Sequence, residues 1–215
     1  MDNTFKEMSR KEKRFARIVA LKAVYAYEVS QIEVGHSIEI IYTAIDNDYK
    51  ELEKLIDYYK NNEEIWSFWR EASPKTRKEK VRFLKKHSPE FTDKYIEWHN
   101  WSIVDELDEM PSADVIGYGG KLARLAIDHQ EGSDELIIAR LKNWEMKRIS
   151  LMDKLILRLE IAEMLYEESV PPKVSIVEGV EIAKLFSTDD SSRFVNGILD
   201  SVYNDSLKGL IKFEK

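Results

Sequence analysis

Residues 169–200 read SVPPKVSIVEGVEIAKLFSTDDSSRFVNGILD, and this stretch decides the fold class. Val170-Pro171-Pro172 closes whatever helix precedes it, because proline cannot donate a backbone hydrogen bond or continue a helix. Ser175-x-x-Glu178 has the form of a capping box, which predicts a helix start at that point. Ser187-Thr188-Asp189-Asp190 stops that helix and opens another. Phe194, Val195, Ile198, Leu199 and Val202 then recur at helical spacing and define a buried face. Asn196-Gly197 predicts a close helix contact beside a satisfied amide.

The same grammar extends outward. Ser150-x-x-Asp153 resembles a capping box with Asp in the Glu position. Behind it Met152, Leu155, Leu159, Ala162 and Tyr166 form a stripe that Ile156 and Ile161 widen, which predicts a helix central to the core. Arg158 and Glu163 on such a helix are best read as members of a structural ion pair or hydrogen bond. Residues 10–29 form a basic amphipathic helix with Ile18, Leu21 and Tyr25 at helical spacing. Residues 37–60 form a long helix along Ile38, Ile41, Ile45, Tyr49, Leu52, Ile56 and Tyr59. Ser73-Pro74 and Ser88-Pro89 each read as an N-cap followed by proline at the first helical position, and Ser102 as a further cap. Gly117, Gly119 and Gly120 predict a break, with helices at 121–130 and 134–143 after it. Eight glycines and five prolines in 215 residues leave little room for the turns of a β fold. The expectation is an all-α protein.

A chain that is 43% hydrophobic and 34% charged fits a globular protein, and the absence of cysteine excludes disulfides and thiolate metal sites. No apolar run approaches the roughly 20 residues needed to span a bilayer, and the N-terminus does not read as a signal peptide. A cytoplasmic location without membrane association is expected. The net charge of −7 conceals two basic segments. Residues 9–27 carry Arg10, Lys11, Lys13, Arg14, Arg17 and Lys22 against one acid, Glu12. Residues 73–87 carry Lys75, Arg77, Lys78, Lys80, Arg82, Lys85 and Lys86 against Glu79. Local patches of this kind suit a polyanion despite the acidic whole.

Enzyme chemistry finds no support. Gly117-Tyr-Gly-Gly120 lacks the strand-to-helix context of a phosphate loop. His36, His87, His99 and His129 show no metal-ligand spacing, and the serines lack a nucleophile elbow. We expect no catalytic residues, no metal and no cofactor.

Two segments resemble the NusB family of transcription antitermination and ribosomal-RNA processing factors. The longer runs from Trp144 through Arg148, Asp153, Arg158 and Glu163 to the VPPKV turn, the EGVEIAKLF helix and DDSSRFVNGILD. The shorter is the arginine-rich first helix, Arg14-Phe-Ala-Arg17-Ile-Val-Ala-Leu-Lys-Ala-Val-Tyr25. The chain departs from the family at Lys22, where Gln is usual, and at Val177-Glu178-Gly179, where Asn-Glu-Ala is usual. The stretch from about 30 to 143 is longer than usual. The resemblance implies an orthogonal all-helical bundle of two small subdomains. We expect one NusB-like domain over 1–215, with a first helix in 1–30, an enlarged middle in 31–143 and a core motif in 144–205.

It further implies binding of boxA-type single-stranded RNA and pairing with the small-subunit ribosomal protein that doubles as NusE. Entry into the antitermination complex on RNA polymerase, control of termination and promotion of rRNA transcription follow from these, and some family members form homodimers. The RNA-binding candidates are Arg10, Arg14, Arg17, Lys22, Tyr25, Arg193 and Phe194, which supply cations for phosphates and flat rings for bases. A solvated arginine face with Tyr25 and Phe194 in the core is the competing reading. Asp153 and Asp190 are secondary candidates for partner contact, with helix-start stabilisation as the simpler role. Lys75, Lys78, Arg82 and Lys86 share a face that extends the RNA footprint or is merely solvated. Trp66/Trp69 and Trp98/Trp101 are spaced as core aromatics. An accessory domain of an rRNA methyltransferase and a protein-only scaffold remain alternative functions.

Overall fold

The computed structural model describes residues 8–88, 110–141 and 145–214, and every regular element among them is helical. The helices are α1 (Arg10–Ser30), α2 (Val34–Tyr59), α3 (Glu63–Ala72), α4 (Arg77–His87), α5 (Ala113–Asp128) and α6 (Gln130–Ile138). A short 3-10 turn (Met146–Arg148) precedes α7 (Leu151–Tyr166), α8 (Pro172–Phe186) and α9 (Asp189–Leu207). None is long and apolar enough to cross a membrane. Ser102, Trp98 and Trp101 lie outside the described residues.

The chain divides into two compact units, Met1–Ile38 with Asp114–Lys215, and Glu39–Ala113. In the first unit α7 packs against α1, α6, α8 and α9. Leu155, Ile156, Leu157, Leu159, Ile161, Ala162 and Met164 are all fully buried. The apolar surface of α7 therefore runs nearly all round rather than along one stripe, as befits a central helix. Its start is capped by Ser150, whose hydroxyl accepts the Asp153 N–H at 3.1 Å. The Asp153 carboxylate does not return to the cap; it accepts from Ser187 and Ser191 of the α8–α9 junction at 2.7 and 3.0 Å. Arg158 makes a forked bond to Asp134 at 2.7 and 2.6 Å and reaches Glu28 of α1 at 3.0 Å. Arg158 is thus the structural ion pair expected of it.

The second unit is built on Leu52, Ile56, Tyr59, Val81, Phe83 and Leu84, with Leu55, Ile65, Trp66 and Trp69 packed beside them. Trp66 and Trp69 are half-buried and stack on each other at 5.7 Å. Buried Arg77 lies 5.1 Å from the centre of the Tyr49 ring, a cation–π arrangement. The Tyr59 hydroxyl is hydrogen-bonded to Ser88.

Four local expectations are corrected. Gly117, Gly119 and Gly120 do not break the chain but lie inside α5. A Cβ on Gly119 would come within 2.8 Å of the Ala16 carbonyl oxygen and 2.9 Å of Val19, so this glycine admits α1 at close range. Ser73 does not cap α4. It ends α3 in the left-handed region (φ 44°), and Thr76 caps α4 in a capping box with Glu79. Ser175 and Glu178 do not start α8, which begins at Pro172 with proline in its first turn; both are buried inside it. Gly197 makes no close contact, since a Cβ there would meet nothing within 4 Å, while the Asn196 amide is satisfied by Asp200 at 2.8 Å.

Candidate nucleic-acid interface

The arginines of α1 step by four and three residues, so they follow one face that rotates gradually toward the core. Arg10 is exposed, 3.6 Å from Glu178. Arg14 is mostly covered and makes a forked bond to Glu178 at 2.8 and 3.1 Å. Arg17 is buried, its side chain only 1% exposed. Its Nε and Nη2 both donate to Oε2 of Glu163 at 3.1 Å, and Ser175 donates to the same oxygen at 2.6 Å. Burial opposes the Arg17 charge, but Glu163 and Glu160 outweigh it and hold its pKa above the usual value. Arg17 is therefore a core cation, and its assignment to an RNA-facing surface is corrected on that ground. Glu160 lies in the same cluster, fully buried, with no hydrogen-bond partner for either carboxylate oxygen among the described residues. Burial first, and then the Glu163 charge, push its pKa well above the ordinary carboxylate range.

Lys22 and Tyr25 are half-buried further along α1. Arg10 also borders a cleft of about 490 Å³ with Lys13 and Lys173. Sequence reasoning passed over Lys173, although its place beside the VPPKV turn was a visible signal.

The start of α9 presents a second surface. Arg193 and Asp190 are exposed and lie 3.4 Å apart, a pair in water that contributes little. Phe194 is half-buried, between the buried face its spacing predicts and the open ring that base stacking needs. Both line a cavity of about 940 Å³ with Arg140, Arg148 and Gly197. Arg140 is fixed there by Ser201 at 3.1 Å, the Leu136 carbonyl at 2.7 Å and Asp205. Arg140 was not singled out from sequence, and Arg148 was named there only as part of the family-like motif, without a role; neither lies on an apolar stripe. Asp153 is 7% exposed and its carboxylate holds the α8–α9 junction, so its assignment to partner contact is corrected to a structural role.

These two surfaces do not merge. Arg17 meets α7 at Glu163, whereas the start of α9 meets it at Asp153. Ten residues of helix separate those points, or about 15 Å along its axis. α1 runs antiparallel to α7, since Glu28 reaches Lys154 and Arg158 at 3.0 Å. Of the α1 candidates, Tyr25 and Lys22 thus lie nearest in level to α9, and Arg10 lies farthest.

A helical bundle with a cationic cleft at Arg10, Lys13 and Lys173, and a larger cavity where Arg140, Arg148 and Arg193 are balanced by Asp153, Asp190 and Asp205 beside the Phe194 ring, has the surface of the class of binding proteins. Comparison with known proteins narrows the class. The family model described as "NusB family" matches residues 74–204. Relatives include the transcription antitermination protein NusB of Chloroherpeton thalassium, 51% identical over 85 residues, covering 40% of this chain and 40% of that protein. The protein of the same name from Methylacidiphilum infernorum is 53% identical over 79 residues, covering 37% of this chain and 55% of that protein. These matched stretches span 40% to 55% of the relatives' lengths. The solution structure of NusB from Aquifex aeolicus shares the fold, with a TM-score of 0.53 at 17% identity over 96% of this chain and 97% of that one. The chain belongs to the NusB family.

Proposed function

We propose that this chain is a transcription antitermination factor that binds boxA-type single-stranded RNA together with the ribosomal protein that doubles as NusE. Acting by binding rather than by catalysis, it promotes rRNA transcription and works in the cytoplasm within the RNA polymerase complex. The observation that carries the reading is 51% and 53% identity, over aligned stretches of 85 and 79 residues, with proteins named for antitermination. The chemistry of the surface supports it. Arg193 and Phe194 offer a cation and a ring at one cavity, and Arg10 with Lys13 and Lys173 offers charge at another. Single-stranded RNA needs both kinds of group. RNA on this surface runs along α1, passing Lys22 and Tyr25 between the two cavities, with Arg14 beneath it. Asp190, exposed at the start of α9, is the acid left for contact with the ribosomal partner.

The test is fluorescence anisotropy with a boxA-type RNA and its scrambled counterpart, with and without the ribosomal partner. Preferential binding of boxA, strengthened by the partner, is the expected result. Arg10→Glu with Arg193→Glu changes two exposed residues and leaves the helical circular dichroism intact while weakening binding at least tenfold. Equal affinity for boxA and scrambled RNA, or undiminished binding by the double variant, overturns the proposal.

A further inference from the structure

The second unit carries a surface that the proposed function does not use. α3 and α4 enclose a cavity of about 860 Å³ bordered by Phe68, Lys75, Arg82, Phe83, Lys86 and His87. Lys75, Lys78, Arg82 and Lys86 are all exposed. On α4, Lys78, Arg82 and Lys86 follow one another at four-residue steps, an arrangement of like charges that weakens a helix. Lys80 is paired with Glu53 at 3.0 Å, whereas Arg82 and Lys86 pair with no described carboxylate. Two acids also border the cavity, Glu71 and Glu79. Glu79 is committed elsewhere, accepting the backbone N–H of Lys75 at 2.9 Å and of Thr76 at 3.2 Å in the α4 cap. Bases in a last turn can serve the helix dipole, and Lys85, Lys86 and His87 do so. Lys75, Lys78 and Arg82 lie outside that turn, so the dipole does not account for them.

Beside these cations lie stacked rings. Phe83 and His87 are near-parallel at 4.4 Å, and Phe68 and His87 at 5.3 Å. Phe68 is 44% exposed, so the outer ring of the stack is open at the cavity edge. Carboxylates of an acidic protein would use the cations alone. Unstacked bases use the ring faces as well, and phosphates the cations.

We propose that α3 and α4 form a second, sequence-tolerant site for single-stranded RNA, which takes the nucleotides flanking the element bound by the first unit. The inference rests on the proposed function only for the kind of polymer that arrives. Three RNA probes separate the two claims: a short boxA-type RNA, the same RNA extended by 15 uridines, and the uridine tract alone. The full chain is expected to bind the extended RNA more tightly than the short one. Arg82→Gln with Lys86→Gln removes that gain and leaves the short RNA unaffected. It also lowers the slope of log K against log salt for the extended RNA by roughly 1.4, at about 0.7 per phosphate contact. Phe68→Ala weakens extended-RNA binding about fivefold or more, the lower end of a lost stacking contact. The uridine tract binds the Arg10→Glu, Arg193→Glu protein but not the Arg82→Gln, Lys86→Gln protein.

An unchanged salt slope in the Arg82→Gln, Lys86→Gln protein, or no gain from the uridine extension, overturns this site. So does a ten-residue polyglutamate peptide that binds α4 where the uridine tract does not. Failure of the short RNA to bind, with the tract still bound through Arg82 and Lys86, overturns the function proposed above and leaves this site standing.

Discussion

At Arg17 a residue that looks like a ligand-binding cation holds the core together. It is enclosed with Glu163, Ser175 and Glu160, and removing one partner of a buried ion pair leaves the other charge without compensation. Arg17→Ala should therefore cost about 3–5 kcal/mol of stability in urea unfolding, within the range for broken buried pairs. Arg193→Glu, made in solvent, should leave the unfolding midpoint where it is. Arg17→Glu would set a further carboxylate against two others, so loss of RNA binding in that variant reports unfolding. Glu160 makes the opposite prediction. Its folded pKa is raised by burial, so the native state holds a proton that the unfolded chain releases. The stability associated with it is fully present below the ordinary carboxylate pKa and is lost as pH rises toward the folded value. Glu160→Gln should accordingly raise the melting temperature more at pH 8 than at pH 4. An equal shift at both values would show that Glu160 is not a buried neutral acid. The sequence made these arginines legible as a helix face and no further. Their spacing is the same whether the face meets water or Glu163, because burial depends on where α7 and α8 pass.

Among the helices, glycines give the clearest test of packing. Gly117 is exposed inside α5 with open space around its Cβ position, while Gly119, two residues on, touches α1. Gly117→Ala should stabilise by up to about 1 kcal/mol, the difference in helix propensity. Gly119→Ala should destabilise, because its near neighbour is the Ala16 backbone oxygen, which cannot swing aside. Thermal unfolding of the two single variants measures both signs. This pair also shows why the sequence misplaced a break there. Clustered glycines look alike whether they end a helix or let another helix approach. The same ambiguity applies to Ser175 and Glu178, whose three-residue spacing serves a capping box and a shared buried face equally well. The periodic apolar positions of α1, α2, α7 and α9 were legible because burial on one side of a 3.6-residue repeat leaves little choice of element. Gly197 adds a functional case. It sits in α9 with no packing reason for glycine, one turn from Arg193 and beside Phe194 at the same cavity. Gly197→Ala should raise the melting temperature of the free protein and weaken boxA binding in the same anisotropy assay.

On the scale of the whole chain, the two units have separate cores and separate cationic surfaces. The first was legible from residues 144–205, where helix starts, core positions and family likeness coincide. The second was legible as the apolar stripe of α2, as charge and as tryptophan spacing, but not as a site. Its cavity arises from the turn at Ser73 and the stacking of Phe68 on His87, contacts between side chains that no local pattern encodes. With separate cores, the units need not melt together. Far-ultraviolet circular dichroism, dominated by helices of both, should then show a transition that does not coincide with one recorded by aromatic fluorescence. Coincident curves would mean that the units unfold as one.

The stacked Trp66 and Trp69 turn that difference into an optical label. Four of the five tryptophans fall between residues 39 and 113, and Trp69 meets Phe83 edge-on at 5.0 Å on the helix that carries Arg82 and Lys86. Intrinsic emission therefore comes chiefly from the second unit. A change in its intensity or wavelength when RNA is added would signal an event there and say little about the first unit, where occupancy needs a probe of its own.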